Sequence, residues 1–270
     1  MLRKRDNIEE WFREYTGSFI FDSYELQRNI DLKTEHTYRV RDEIVYLAGK
    51  LGISDDDTAL AEITAILHDV GRFEQFRKFR TFSDRDSVNH AELGIEIIKE
   101  GNVLREFAPE SENLILKSIL YHNRAFLPEK ENERVIFFSK LLRDADKLDI
   151  WKVVLEYYSK RDISKNSAIV LGLPDTEGIS PEVYEDLMSH SIVNMANVKN
   201  VNDFKLLQAG WVFDINFKPA LEQVVKREYI TRLRSSLPDT GEIEVIFNEI
   251  DGYIVKRFKS TVSPAPEQLF

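Results

Sequence analysis

Apolar residues recur at helical spacing along most of this chain, and the clearest stretch is AEITAILHDVGRF, Ala61 to Phe73. Leu60, Ile63, Ile66 and Leu67 describe a helix buried on one side. That apolar face runs straight into His68 and Asp69, two residue types that rarely enter a core without a partner. Before it, Asp31 to Gly52 is amphipathic: His36, Val40, Ile44 and Leu47 share one face, and Asp31 or Thr34 can cap the start. Asn7 to Tyr15 predicts a short opening helix that Gly17 breaks. Ser54 and the acids Asp55, Asp56 and Asp57 suit the start of the helix that ends at His68-Asp69-Val70-Gly71, where Gly71 is expected to make the left-handed turn.

Beyond Gly71, residues Arg72 to Asn89 read as a loop or broken helix in which Arg72, Arg77, Lys78, Arg80 and Arg85 alternate with phenylalanines. It is either a surface loop pinned by its Phe residues or a lid whose Arg groups, Arg72 foremost, grip an anion. His90 opens a helix closed by Gly101, and Glu112 to Asn123 forms another with His122 near its end. A long helix from about Glu131 to Lys160 carries the apolar stripe Phe138, Leu141, Ala145, Leu148 and Leu155, interrupted by Asp144, Asp146 and Asp149. Asp144 and Asp146 lie about 200° apart around a helix, so they cannot both turn to one ion.

The remainder is expected to be helical as well. Asp162 to Ser180 reads as a connecting loop, Pro181 starts a helix, and two more are predicted over Val201–Phe213 and Pro219–Arg234. Trp211 to Phe217 also alternates like a strand, and TVSPAPEQLF reads as an extended tail. His190 and Asp214 have no partners at metal-like spacing and are assigned structural roles. The expectation is a single all-α domain over residues 1–270, with a core over 31–160 and a helical extension over 161–270 packed on it.

Composition narrows the chemistry. Lys and Arg number 37 against 47 Asp and Glu, a net charge of −10 that disfavours bulk binding to a nucleic-acid polymer. There is no Cys, so a metal can be held only by imidazole and carboxylate. No apolar run approaches the roughly 20 residues that span a bilayer, and no apolar stretch follows the basic start. A cytoplasmic protein with no membrane partner is the expectation; the oligomeric state is left open. His36, His68, Asp69, His90, His122 and Asp146 fall on successive predicted helices and together read as a metal site.

The order of these residues, with the strings HDVGRF, NHAELG and LLRDADKLD, resembles the HD superfamily of metal-dependent phosphohydrolases over roughly Glu35 to Tyr157. The resemblance implies an HD-domain helical bundle with His36, His68, Asp69 and Asp146 as core metal ligands, the A-D-x-L context selecting Asp146. His90 and His122 match the additional histidines of members that hold two metals. It further implies one or two divalent ions (Mn, Fe, Co, Ni, Zn or Mg) and a nucleotide or other small phosphorylated metabolite as substrate. Asp69, Arg72 and Lys147 are the catalytic candidates, with Arg72, Arg77 and Arg80 as substrate-binding cations. The GYP signature of cyclic dinucleotide phosphodiesterases has no counterpart after HDVG. Two other functions fit the same ligand set: a non-catalytic signalling or ligand-sensing module stabilised by metal, and a di-iron oxygenase.

Overall fold

A computed structural model describes residues 1–159 and 167–260. The expected tail lies outside the described residues, as does the first part of the expected loop from Asp162. The described residues are helical throughout, with no strand among them. They form two compact units, one of residues 1–157 and 167–172, the other of residues 158–159 and 173–260. No described helix is long and apolar enough to cross a membrane.

The first unit contains α1 (Leu2–Gly17), α2 (Tyr24–Leu51), α3 (Asp55–Leu67), α4 (Val70–Phe79), α5 (His90–Glu100), α6 (Pro109–His122) and most of α7 (Glu133–Ser159). α3 packs against α1, α2 and α6, while α4 packs on α5 and α5 on α6. From Ala59 to Val70 every residue except Glu62 is buried, so α3 is covered all round rather than on one side. Ala59, Ala61 and Ala65 present little bulk, which lets neighbours close on each face. Ser54 caps α3 as expected, its side chain accepting from the Asp57 amide.

α2 begins about two turns earlier than the sequence reading, at Tyr24 after Ser23. Nothing between Tyr24 and Asp31 breaks a helix, and Thr34, a capping candidate, instead bonds back to the Ile30 carbonyl in mid-helix. Gly52 ends α2 in the left-handed conformation at φ 67°.

Gly71 does not make a left-handed turn. α3 stops at Leu67, His68 and Asp69 form the link, and Gly71 lies in the first turn of α4. It is glycine because a Cβ there would meet the His90 carbonyl oxygen at 2.0 Å and the Gly94 amide nitrogen at 2.7 Å. Gly94 returns the close approach from α5. The stretch read as a loop from Arg72 is therefore helix as far as Phe79. Arg80, at φ 58°, ends it, and a loop containing a short 3₁₀ turn at Asp84–Asp86 leads to α5.

The second unit holds α8 (Pro181–Met188), α9 (Val201–Gly210), α10 (Lys218–Lys226), α11 (Tyr229–Ser235) and α12 (Gly241–Ser260). Trp211 to Asp214 is a 3₁₀ turn, not the end of a helix or a strand. The helix expected over Pro219–Arg234 is broken at Glu228, which sits at φ 56°. α12 was not anticipated, although Ile243, Ile246, Phe247, Ile250 and Ile254 are spaced for one face and are all buried. It packs on α8, α11 and the Trp211–Asp214 turn. His190 stacks on Phe213, with ring centroids 4.7 Å apart, and bonds Glu249, a structural setting.

Gly71→Ala should lower unfolding free energy by about 2 kcal/mol or more, because backbone atoms block the added methyl. Gly49→Ala, within α2 and with nothing within 4 Å, should raise it by about 0.5–1 kcal/mol. Urea unfolding followed by circular dichroism checks both, and equal effects would contradict the packing argument.

Candidate metal centre

The link between α3 and α4 places His68 and Asp69 at the middle of the first unit. His36 comes from α2, His90 from the start of α5, His122 from the last residue of α6, and Asp146 from α7. Asp69 is the node. Its Oδ2 lies 3.6 Å from His36 Nε2 and 3.7 Å from His68 Nε2, and its Oδ1 lies 3.4 Å from His90 Nε2 and 3.9 Å from His122 Nε2. Asp146 Oδ1 approaches His36 Nε2 at 3.1 Å and His68 Nε2 at 3.8 Å. Asp144 is fully buried on the same helix but belongs to neither donor group found among the described residues. Those groups are His36, His68 and Asp146, and His68, Asp69 and His122.

Each imidazole is held by its other nitrogen. His36 Nδ1 bonds Asp149 Oδ2 at 2.7 Å, and His90 Nδ1 bonds Asp84 Oδ2 at 2.7 Å. His68 Nδ1 donates to the Ala65 carbonyl and His122 Nδ1 to the Ile119 carbonyl, both at 2.6 Å. Carbonyls and ionised carboxylates only accept, so the neutral ring carries its proton on Nδ1 and presents a bare lone pair at Nε2. All four Nε2 atoms point at the Asp69 carboxylate.

This donor set fits a cation on direct grounds. His36 Nε2, His68 Nε2 and Asp146 Oδ1 are buried without a hydrogen-bond partner; the 3.1 Å approach between the first and last lacks hydrogen-bond geometry. His90 Nε2 and His122 Nε2 face each other at 3.0 Å. Two lone pairs at that distance repel unless a proton or a cation lies between them. Orphaned buried acceptors are costly, and a divalent ion satisfies several together.

The electrostatics favour neutral rings at His68, His90 and His122 and ionised acids. Burial, then His90 and His68, push the pKa of His122 down to about 3. Burial also lowers His68 and, with help from Arg72, His90. In His36, burial and Lys33 oppose protonation, but Asp146 and Asp149 outweigh them and leave its pKa above the ordinary value. Burial opposes ionisation of Asp69, yet Lys33, His68, Arg72 and His90 hold it well below the carboxylate range. Asp146 is held down by His36, with His68 and His122 adding to it, again against burial.

The remaining candidates are placed differently. Arg72 Nη1 donates to the Phe82 carbonyl, to Asp84 and to Gln75, so its main contacts sew the Arg80–Asn89 loop onto α4. Its Nε lies 3.6 Å from Asp69 Oδ1. Arg77 pairs with Glu74 and sits over Phe19, and Arg80 sits over Phe21; these contacts are with the α1–α2 connection and α4, not with the imidazoles. Lys147 is buried. Sequence reasoning did not single out Lys33, Arg39 or Asp84, and gave Asp149 no role. Lys33 bonds Asp69 Oδ2 at 2.8 Å, and Arg39 bonds both oxygens of Asp149, which in turn orients His36. Asp149 had left a trace as the third acid in an apolar helix, whereas Asp84 sits in a loop without periodicity. The Arg143 guanidinium gathers the Tyr121, His122, Arg124 and Ala125 carbonyls, fixing the end of α6 that carries His122.

Residues 34–151 match the family model of the HD domain. Over that stretch the chain carries an HD domain, of an all-α family made up largely of metal-dependent phosphohydrolases, and the His/Asp cluster within it fits metal binding. No curated protein and no solved structure matches it.

Asp149→Asn should weaken divalent-metal binding by about 10- to 100-fold, because the candidate ligand His36 loses the carboxylate that fixes its tautomer. His190→Ala should leave that affinity unchanged. Competition with a chromophoric chelator reads both. A second expectation concerns pH. The folded chain resists the protons that unfolded His68, His90 and His122 take up below about 6.5, so folding stability must fall with pH in that window, down to about 3 for His122. His36, with its raised pKa, acts oppositely and loses its contribution above its ordinary value of 6.5. Chelator-treated protein should therefore unfold at lower urea at pH 5 than at pH 7; a higher midpoint at pH 5 would contradict the assignment of three neutral rings.

Proposed function

We propose that this chain is a metal-dependent phosphohydrolase acting on a nucleotide or another small phosphorylated metabolite. The observation that carries the reading is the convergence of four imidazole Nε2 atoms on one buried carboxylate, each ring locked through Nδ1. In this reading His36, His68 and Asp146 would hold one divalent ion, and His90 and His122, with Asp69, would help hold a second. Such ions, when bound, lower the pKa of water towards about 7 and neutralise charge on a phosphoryl group.

The chain's own residues supply the rest. Asp69, kept ionised by Lys33, His68, Arg72 and His90, places negative charge between the two sets of imidazoles and holds them in register. Arg72 acts through Asp84, holding the carboxylate that fixes His90, rather than by reaching the phosphate with its Nη1. Lys147, next to Asp146, is a candidate for stabilising charge on the leaving side. Arg77 and Arg80, the other candidate substrate-binding cations, lie over Phe19 and Phe21. Carboxylate and imidazole donors alone are compatible with Mn²⁺, Fe²⁺, Co²⁺, Ni²⁺ or Zn²⁺, and with Mg²⁺ where carboxylate and water dominate.

The test is phosphate release from a panel of nucleoside monophosphates and simple phosphomonoesters after loading with Mn²⁺. Hydrolysis of at least one class is expected, with His68→Ala losing both metal and turnover while keeping its helical spectrum. Full turnover by a metal-depleted His68→Ala protein would sink the reading. Stoichiometric metal with no turnover on any ester would favour the sensing module instead.

A further inference from the structure

Lys33 lies on α2 one turn before His36, on the same face, and its ammonium has donors to spare. Resting on the reading above, we propose that Lys33 is the anchor for the phosphate of the substrate, its ammonium presented beside the imidazole cluster on the rim of the site.

Three observations support this. First, the Lys33 side chain is 17% exposed where that of Asp69 is 4% exposed, so the ammonium reaches the buried carboxylate from the solvent edge. Second, Nζ makes one hydrogen bond among the described residues, to Asp69 Oδ2 at 2.8 Å, and an ammonium has three N–H donors. Two donors therefore remain for oxygens arriving from solvent. By contrast, Arg39 is committed to both oxygens of Asp149, and Arg72 Nη1 to three acceptors. Third, the ammonium lies 5.5 Å from the centroid of the Phe82 ring, a second support that does not consume a donor.

The choice of anion follows from charge. Asp69 Oδ2 is shared between the Lys33 ammonium and the Nε2 atoms of His36 and His68. A carboxylate oxygen has two lone pairs, so it can accept from the ammonium and still face a cation held by those rings. Two positive charges then flank one oxygen and repel each other. A multivalent tetrahedral anion that touches both turns the repulsion into attraction. A compact, rotatable ammonium suits such an anion, whereas planar carboxylates are better matched by the fork of an arginine. Lys33 thus favours terminal phosphate, with its full charge, over a diester.

Three proteins decide the matter: the wild type, Lys33→Met and Lys33→Arg. Each is titrated calorimetrically with Mn²⁺ and then, Mn²⁺-loaded, with inorganic phosphate. Lys33→Met should bind Mn²⁺ at least as well as the wild type, and its phosphate affinity should fall about tenfold or more, the scale of a lost charge-assisted hydrogen bond. Lys33→Arg should recover most of that loss. Unchanged phosphate affinity in Lys33→Met overturns the anchor and leaves the phosphohydrolase reading standing. Loss of Mn²⁺ by Lys33→Met or failure of Lys33→Arg to recover phosphate binding also overturns it, the first because the residue would then be structural. A wild-type chain that takes Mn²⁺ but no phosphate overturns both proposals.

Discussion

Burying four imidazoles against a carboxylate is the constraint on which the first unit depends. Moving charges or unpaired polar atoms out of water costs several kcal/mol apiece unless each finds a partner. The unit meets this cost atom by atom. Every Nδ1 has an acceptor, two of them backbone carbonyls one turn earlier in the same helix and two of them carboxylates. The carboxylates are tied in turn, Asp149 by Arg39 and Asp84 by Arg72, Gln75 and Asn123. Among the buried atoms left without a partner are His36 Nε2, His68 Nε2 and Asp146 Oδ1, which one cation would satisfy together.

The helices that carry these groups are shaped by the same requirement. α7 is buried along most of its length yet contains Arg143, Asp144, Asp146, Lys147 and Asp149 within seven positions. An amphipathic surface helix keeps such residues on its outer face. Here they serve different neighbours: Asp146 the imidazoles, Asp149 the back of His36, and Arg143 the exposed carbonyls at the end of α6. One helix thus holds a candidate ligand, the acid that orients His36 and the clasp on the helix that carries His122. That is why its apolar stripe looks interrupted in the sequence.

This explains how much could be read without coordinates. The six candidate ligands were legible because metal-binding residue types are conspicuous where helical periodicity leads one to expect Leu or Ile, and the structure draws all six together. Helix existence was legible for the same reason. Their partners were harder to see. Lys33 and Arg39 look like ordinary polar positions on an amphipathic helix, and only the fold shows that Asp69 and Asp149 lie opposite them. Asp84 is hidden among the charges of a loop that seemed to exist for its arginines. α12 differs again: Ile243, Ile246, Ile250 and Ile254 recur at helical spacing and are buried, so its signal lies in the sequence itself.

Gly71 shows best how local and global requirements meet. On a continuous helix the side chains of His68 and Asp69 would diverge by about 100° and could not converge on one place. They converge because α3 stops at Leu67 and α4 restarts at Val70, with Asp69 at φ −110° and ψ 15° between them. α4 must then come down on α5 closely enough for His90 to face Asp69. Only a residue without a Cβ permits that, since the His90 carbonyl occupies the place a methyl would take. The glycine that looked like a helix terminator is a contact point between two helices. The dipeptide works as a pair because the chain bends within it, at Asp69, and is pressed against its partner just after.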